Sequence, residues 1–330
     1  MAQFILRRVG FIAILLVMVS IISFVIIQLP PGDWLSSYVS ALRTQGAQIN
    51  DSVIEGLRVQ YCLDQPPVQQ YFTWVTNIVL HGDYGFSFSY GRPVGELLAE
   101  RLPWTLLISI LSIALTYALA IPIGIYSATH QYSSRDYLFT FIGFFGLSMP
   151  GFLLALILMY LAYKYFGLSV TGLFSPKYMG EPMSWDKFVD ILGHLPIPVL
   201  IISLSGTAGL IRVLRGTLLD EIRRPYVDTA RAKGLKERTL LYRYPVRIAI
   251  NPLISTVGWL LPSVFSGQTI ISIVLNLPTV GLLLYEALRA QDTYLAGSIV
   301  MILALLTLIG TLLSDILLAV VDPRIRIEES

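Results

Sequence analysis

Long apolar runs separated by polar stretches constrain this chain more than any other feature. They lie at about residues 9–29, 104–128, 137–163, 195–211, 248–276 and 294–321. The first, at 1.5 Å per residue, reaches about 31 Å, enough to cross the hydrocarbon layer of a bilayer. With 55% apolar and 13% charged residues over 330 positions, the chain carries more apolar surface than one soluble core of ordinary proportions hides. The expected fold class is therefore an all-α polytopic membrane protein with six transmembrane helices.

The first run follows Arg7 and Arg8, a start that a cleaved signal peptide would share. Its length, and an end in Pro30-Pro31-Gly32-Asp33 rather than in small residues, favour a retained anchor. The chain then divides into a tip and first helix (1–29), a polar extramembrane region (30–102), a five-helix membrane core (103–321) and a tail (322–330). Within the polar region Gly82-Asp83-Tyr84-Gly85 reads as a turn, and Val94, Leu97, Leu98 and Leu102 fall at helical spacing. That spacing predicts a short interfacial helix before the chain re-enters the membrane at Pro103. No internal repeat and no low-complexity tract is evident.

Six spans put both termini on one side, and the basic residues decide which. The start, the link at 129–136, the stretch at 212–247 and the tail hold 15 Lys and Arg in about 62 residues, and the opposite segments hold 8 in about 122. The richer side is expected to be cytoplasmic. The 30–102 region, 164–194 and 277–293 then face outward. Most weight rests on 212–247, which alone carries ten of the 23 basic residues, and on the short link containing Arg135. Such a basic face also attracts anionic lipid, and no nucleic-acid partner is expected.

Little in the sequence points to reaction chemistry. Cys62 is the single cysteine, so neither an intrachain disulfide nor a cysteine metal cluster is possible. His81, His130 and His194 are far apart and are read as solvated or interfacial. Asp315 lies inside the last run without an array of other acids, and a structural role suits it better than a proton relay. The interior is instead rich in small and neutral polar residues, which either pack helices closely or line a hydrated path. The path candidates are Ser203 and Thr207 in the fourth run and Ser255, Gln268, Ser272 and Asn276 in the fifth, with Gln268 and Asn276 too large for close packing. Pro122, Pro150, Pro196, Pro198, Pro252 and Pro262 mark kinks or span ends.

The 212–247 stretch reads as a helix continuing out of the membrane, then a second, short helix begun by Pro225 and closed by Gly234. Eight residues are marginal as a free helix, so the piece at 226–233 is expected to be stabilised by docking. Tyr226 and Val227 offer apolar contact, Ala230 and Ala232 close approach of the backbone, and Arg231 and Lys233 charge. A solvated loop that only fixes topology is the competing reading.

The stretch Asp228-Thr229-Ala230-Arg231-Ala232-Lys233-Gly234 resembles the EAA loop of permeases in binding-protein-dependent ABC importers. Asp228 stands for the motif's Glu and Thr229 for its first Ala, while Ala230 and Gly234 keep the central identities. Tyr244-Pro245 stands where the peptide branch usually has His-Ala. Phe4-Ile5-Leu6-Arg7-Arg8, Pro31-Gly32-Asp33, Gly91-Arg92-Pro93-Val94 with Arg101-Leu102-Pro103, and Asp322-Pro323-Arg324-Ile325-Arg326 also resemble the dipeptide, oligopeptide and nickel permease family, in the family's order. The resemblance implies a type I importer fold with a large periplasmic loop between the first two helices and a cytoplasmic coupling helix between the fourth and fifth. It also implies a second homologous permease, two ABC ATPase subunits and an external solute-binding protein as partners, in a bacterial or archaeal inner membrane. Tyr226, Val227, Asp228, Thr229, Ala230, Arg231, Ala232, Lys233 and Gly234 would form the ATPase-coupling surface. The chain has no Gly-x-x-x-x-Gly-Lys-Ser/Thr loop, so it is not expected to be an enzyme or to hold a cofactor, and ATP and Mg would be bound by the partner ATPases. Oligopeptides are the expected substrate, with oligosaccharides, glutathione-like molecules and nickel chelates as alternatives. A secondary transporter or channel is the reading from outside the family.

Overall fold

The computed structural model describes residues 2–28, 39, 65–167 and 170–321. Cys62, Pro31-Gly32-Asp33 and the Asp322-Pro323-Arg324-Ile325-Arg326 tail lie outside the described residues. In chain order the helices are α1 (Ala2–Gln28), α2 (Pro67–His81), α3 (Val94–Thr129), α4 (Ser134–Ser148), α5 (Gly151–Phe166), α6 (Trp185–His194), α7 (Pro196–Ile222), α8 (Pro225–Ala232), α9 (Glu237–Arg243), α10 (Pro245–Ala249), α11 (Asn251–Leu275), α12 (Val280–Arg289) and α13 (Thr293–Val321). Between α2 and α3 a two-stranded antiparallel hairpin pairs β1 (Phe86–Ser87) with β2 (Arg92–Pro93), Phe86 opposite Pro93. Among the described residues Val94–Thr129, Trp185–Leu204 and Thr293–Leu318 are long and apolar enough to cross a membrane. The number rises to five if the pairs Ser134–Ser148 with Gly151–Phe166 and Thr269–Leu275 with Val280–Arg289 each count as one span. Gly10–Val25 in α1 is a shorter apolar helix.

The chain forms two compact units. The first comprises Ile5–Thr105 and Thr279–Leu306. Here α2, unread in the sequence, starts with Pro67 at a position where the missing N–H costs nothing and stops at Gly82, whose φ of +65° suits a residue without Cβ. The expected turn follows, with Asp83 Oδ1 accepting the Gly85 N–H at 2.9 Å. Val94, Leu97 and Leu98 pack on Val280, Leu283, Ala287, Leu295 and Ile299, so their helical spacing does mark a buried face. They do not form a separate interfacial helix, because α3 runs unbroken through Pro103. Proline is tolerated there in an apolar helix when nearby groups satisfy the backbone. Just beyond it Thr105 Oγ1 donates to the Arg101 carbonyl (3.0 Å) and accepts the Val280 N–H (2.9 Å). Over most of the 277–293 segment the chain forms α12, which buries Val280, Gly281, Leu283 and Ala287. At the start of α13 the fully buried Asp292 accepts hydrogen bonds from the Ser87 and Ser89 hydroxyls and the Ser89 N–H, which tie the hairpin to it.

The second unit comprises Met1–Phe4, Leu106–Pro278 and Thr307–Ser330 and is built around α7, which packs against α4, α5, α10 and α11. Its core joins Ala120, Ile125 and Ala128 of α3 to Leu210, Leu214 and Leu218 of α7 and to Val246, Ala249 and Leu253. Small residues set the helix spacing: a Cβ on Gly124 would sit 2.9 Å from Leu214, and one on Gly143 3.3 Å from Ala208. The stretch expected as a span at 137–163 forms two helices, α4 and α5, that are apolar enough together and bent by 106° at their junction. Met149, ahead of Pro150, is held extended (φ −91°, ψ 124°), as sterics against the proline ring demand. In the 164–194 segment α6 runs almost directly into α7, and His194 at the junction, expected to be solvated or interfacial, is buried and not solvated, its Nδ1 2.8 Å from the Asp190 carbonyl oxygen. His81 and His130 are exposed.

Candidate functional site

The helix α7 leads directly into the basic segment. It ends at Ile222, and Arg224 adopts the extended conformation (φ −77°, ψ 144°) required ahead of Pro225, which opens α8. Thr229 Oγ1 bonds back to the Pro225 carbonyl at 3.0 Å. The Lys233 N–H donates to the Thr229 carbonyl, and Gly234, at φ +77°, turns the chain away with its N–H on the Arg231 carbonyl at 2.9 Å. The two-helix reading with a break at Pro225 and a stop at Gly234 describes this backbone.

Its side chains divide sharply between two faces. Val227 is fully buried and Ala230 nearly so, one helical turn apart, against Leu240 of α9 with Tyr226 and Leu235 at the margin. The Tyr226 hydroxyl donates to Glu221 Oε2 at 2.6 Å. Burial and that carboxylate push the phenol's pKa well up, so it remains the donor. On the opposite side Arg231 donates to Glu237 Oε1 at 2.6 Å and to Asp228 Oδ1 at 3.0 Å. The bond to Arg231 holds the Glu237 carboxyl below its usual range, and the Glu237 partnership raises the Arg231 guanidinium. Asp228, Thr229, Arg231, Ala232, Lys233 and Gly234 are exposed. The apolar contact expected from Val227 and the close approach expected at Ala230 are therefore consumed within the chain. Ala232 keeps an exposed position and a small side chain.

Behind α8 the helices form a continuous path back to α7. The α9 helix packs on α10, and α10 packs on α7, where Thr217 Oγ1 reaches the Ala249 carbonyl at 3.2 Å. Higher on the same helix Arg215 Nη2 lies 3.2 Å from Asp136 Oδ2, with the Asp136 side chain 4% exposed. The Tyr132 N–H also donates to that oxygen at 3.0 Å. Asp136, Arg215, Glu221, Glu237 and Leu240 carry much of this geometry and were not singled out by sequence. Leu240 and Leu241 offered a weak apolar signal. Arg231 and Glu237 are six residues apart, a spacing that no helical pairing rule flags.

The path candidates differ in burial. Ser203 and Thr207 are buried, Ser203 Oγ on the Leu200 carbonyl (2.9 Å) and Thr207 Oγ1 on the Ser203 carbonyl (2.7 Å), which Thr116 of α3 also reaches at 3.2 Å. Both hydroxyls thus bond within α7, and the bond between helices comes from Thr116. Ser272 is buried as well, whereas Ser255 is exposed and bonds the Asn251 carbonyl at 3.2 Å. Asn276 is exposed and caps α11 in the left-handed conformation (φ 50°), a local reason for an amide residue there. The Gln268 side chain lies outside the described residues. Among the described residues no group of three His, Cys, Asp or Glu side chains is arranged to hold a metal.

Comparison with known proteins places these features in a family. Residues 120–327 match the family described as Binding-protein-dependent transport system inner membrane component, and residues 1–109 match its companion N-terminal family. The chain is 35% identical to the oligopeptide transport system permease protein AppB of Bacillus subtilis over 99% of its own length and 100% of that protein. It is 27% identical to the dipeptide transport system permease protein DppB of Lactococcus lactis over 99% and 100%. With the family matched across most of its length, this chain belongs to the binding-protein-dependent transport system inner membrane components.

Proposed function

We propose that this chain is the permease subunit of an ATP-driven ABC importer and forms half of a path for peptides delivered by a solute-binding protein. The similarity to permeases named for oligopeptide and dipeptide transport supports the substrate class. Six spans with cytoplasmic termini, a second permease and two ATPase subunits complete the reading. Catalysis stays with the ATPases; this subunit supplies the passage and the surface they grip.

One observation carries the coupling role. An eight-residue helix too short to be stable alone is braced from behind by Val227, Ala230 and Leu240, and presents Asp228, Thr229, Ala232 and Lys233 outward. Closure of the ATPases on ATP would push this helix, and α9 and α10 would pass the displacement to α7. The replacement Ala232→Trp adds bulk to the exposed side without touching the Val227 core, and Gly234→Leu adds bulk at a φ of +77° that strains any side chain. Both are expected to lower co-purification of a phosphate-loop ATPase and ATP-dependent peptide uptake by about tenfold or more, with the permease still present in the membrane. Unchanged assembly and uptake, or uptake by the chain alone, would overturn the coupling role.

A further inference from the structure

Between Leu204 and Arg215 the helix α7 runs antiparallel to α4 and close against it. A Cβ on Gly143 would come within 3.3 Å of Ala208 and one on Gly146 within 3.7 Å of the Leu204 carbonyl oxygen, and the Arg212 guanidinium stands 5.1 Å over the Phe144 ring. The seam ends in a charge pair. Arg215, two turns before the end of α7, places Nη2 3.2 Å from Oδ2 of Asp136 in the first turn of α4. The carboxylate is fixed from its own side. Tyr132, at a left-handed φ of +59° that is unfavourable for a tyrosine, turns its N–H onto the same oxygen at 3.0 Å, and Ser133 Oγ accepts the Asp136 N–H at 3.2 Å. The pair is nevertheless half made. Nε and Nη2 share one edge of a guanidinium and match the two oxygens of a carboxylate in a two-bond fork. Only the Nη2 to Oδ2 bond is present here. Arg215 Nε and Asp136 Oδ1 are both buried, and neither has a hydrogen-bond partner among the described residues. A buried donor and a buried acceptor left open in one ion pair are unfavourable, and each is the partner that the other lacks.

We propose that Asp136 and Arg215 are a two-position link through which α7 moves α4. In the arrangement above one hydrogen bond joins them. When the ATPases close on ATP and push α8, α7 brings Arg215 Nε onto Asp136 Oδ1 and the fork closes. The Arg215 side chain, 32% exposed against 4% for Asp136, is the partner with room to turn. The closed fork adds a charge-assisted bond and satisfies two buried groups, so it favours the ATP-bound arrangement over the other. The glycine seam then makes α4 follow, since backbones this close leave little side-chain length to absorb a shift. Beyond the bend the motion has a contact with α11, because a Cβ on Gly151, which opens α5, would lie 3.3 Å from Ile271. The inference rests on the importer reading and carries the route from α8 through α9, α10 and α7 one step further, with Asp136 and Arg215 as positioning residues.

The test uses the assembled importer in proteoliposomes: this chain, its partner permease, the ATPases and the solute-binding protein. Modification of arginines by phenylglyoxal is mapped by mass spectrometry, with and without trapping by ATP and vanadate. Arg215 is expected to react about tenfold more slowly in the trapped state, where both donors of its edge are held, and Asp136→Asn is expected to abolish that protection. The replacement Arg215→Lys keeps the charge but not the planar pair of donors. It is expected to assemble and hydrolyse ATP as the unaltered chain does, while uptake of peptides from a tryptic casein digest per ATP hydrolysed falls about tenfold. A pair that merely fastens two helices predicts no state-dependent protection and an unchanged uptake ratio in Arg215→Lys. Either result overturns the link, and both are read even if Asp136→Asn fails to assemble. If the unaltered importer hydrolyses ATP but takes up none of the peptides, peptides fall as cargo and the protection of Arg215 alone decides the link. If no ATPase assembles with the chain, the importer reading falls and the link with it.

Discussion

At Gly124 the helix α3 lies close against the Leu214 side chain of α7. A methyl group there would meet Leu214 Cδ2 at 2.9 Å and its Cβ and Cγ at 3.1 Å, and Leu214 is fully buried. Because Cβ is the inner end of that side chain, a rotamer change cannot relieve the contact, and the helices must separate. Gly124→Ala is therefore expected to destabilise the chain by about 1–3 kcal/mol, the usual range for overpacking, seen as a lowered midpoint of thermal unfolding in detergent. The same change at Gly209, where a Cβ would meet nothing within 4 Å, is the control and should leave the midpoint unchanged or raised. From sequence the two glycines look alike, since both sit in apolar helices. Only the partner helix tells them apart, so the packing role of small residues was legible as a class but not residue by residue. Ser203 and Thr207 show the same limit: their types fit a hydrated path as well as a helix contact, and both hydroxyls bond to carbonyls of their own helix.

At the scale of elements, what could be read was whatever local chemistry fixes. Pro225 and Gly234 mark where α8 starts and stops because each has a backbone preference that neighbours do not override. Pro103 carried the same signal, yet α3 passes through it because burial of Val94, Leu97 and Leu98 on one side and an apolar run on the other outweighs one lost hydrogen bond. The inward turn of Val227 was out of reach as well, since it depends on Leu240 arriving from α9. On the outer side, the link between α8 and α9 has a pH dependence whose sign follows from Glu237. Its folded pKa lies below the ordinary value of 4.5, so the bond to Arg231 contributes fully above that value and is lost as pH falls through the depressed one. Both partners are exposed, so the change stays local. Hydrogen-exchange protection factors of the α8 and α9 amides should fall on acidification below 4.5 in the native chain and lose that dependence in Glu237→Gln, while amides of α7 keep theirs.

For the whole molecule the decisive quantity is the sidedness of charge. The stretch at 212–247 holds ten of the 23 basic residues, and translocating so many cations is far costlier than leaving them in the cytoplasm. The structure gives that stretch a form in keeping with an exposed position: Arg223, Arg224, Arg231, Lys233, Lys236, Arg238, Arg243 and Arg247 are all exposed, around a small apolar centre of their own. The polar 30–102 region should then lie across the membrane from it, and the single cysteine makes the arrangement measurable. In intact cells a membrane-impermeant maleimide is expected to modify Cys62 from outside. In a Cys62→Ser background, Lys236→Cys should react only after the membrane is opened. The two sites test each other, because a labelled Cys62 alone could reflect leaky cells and a silent one a shielded thiol, whereas opposite behaviour at two positions fixes the fold across the bilayer. Reversal of both results would carry α8 to the outer face, where no ATP-hydrolysing partner could reach it.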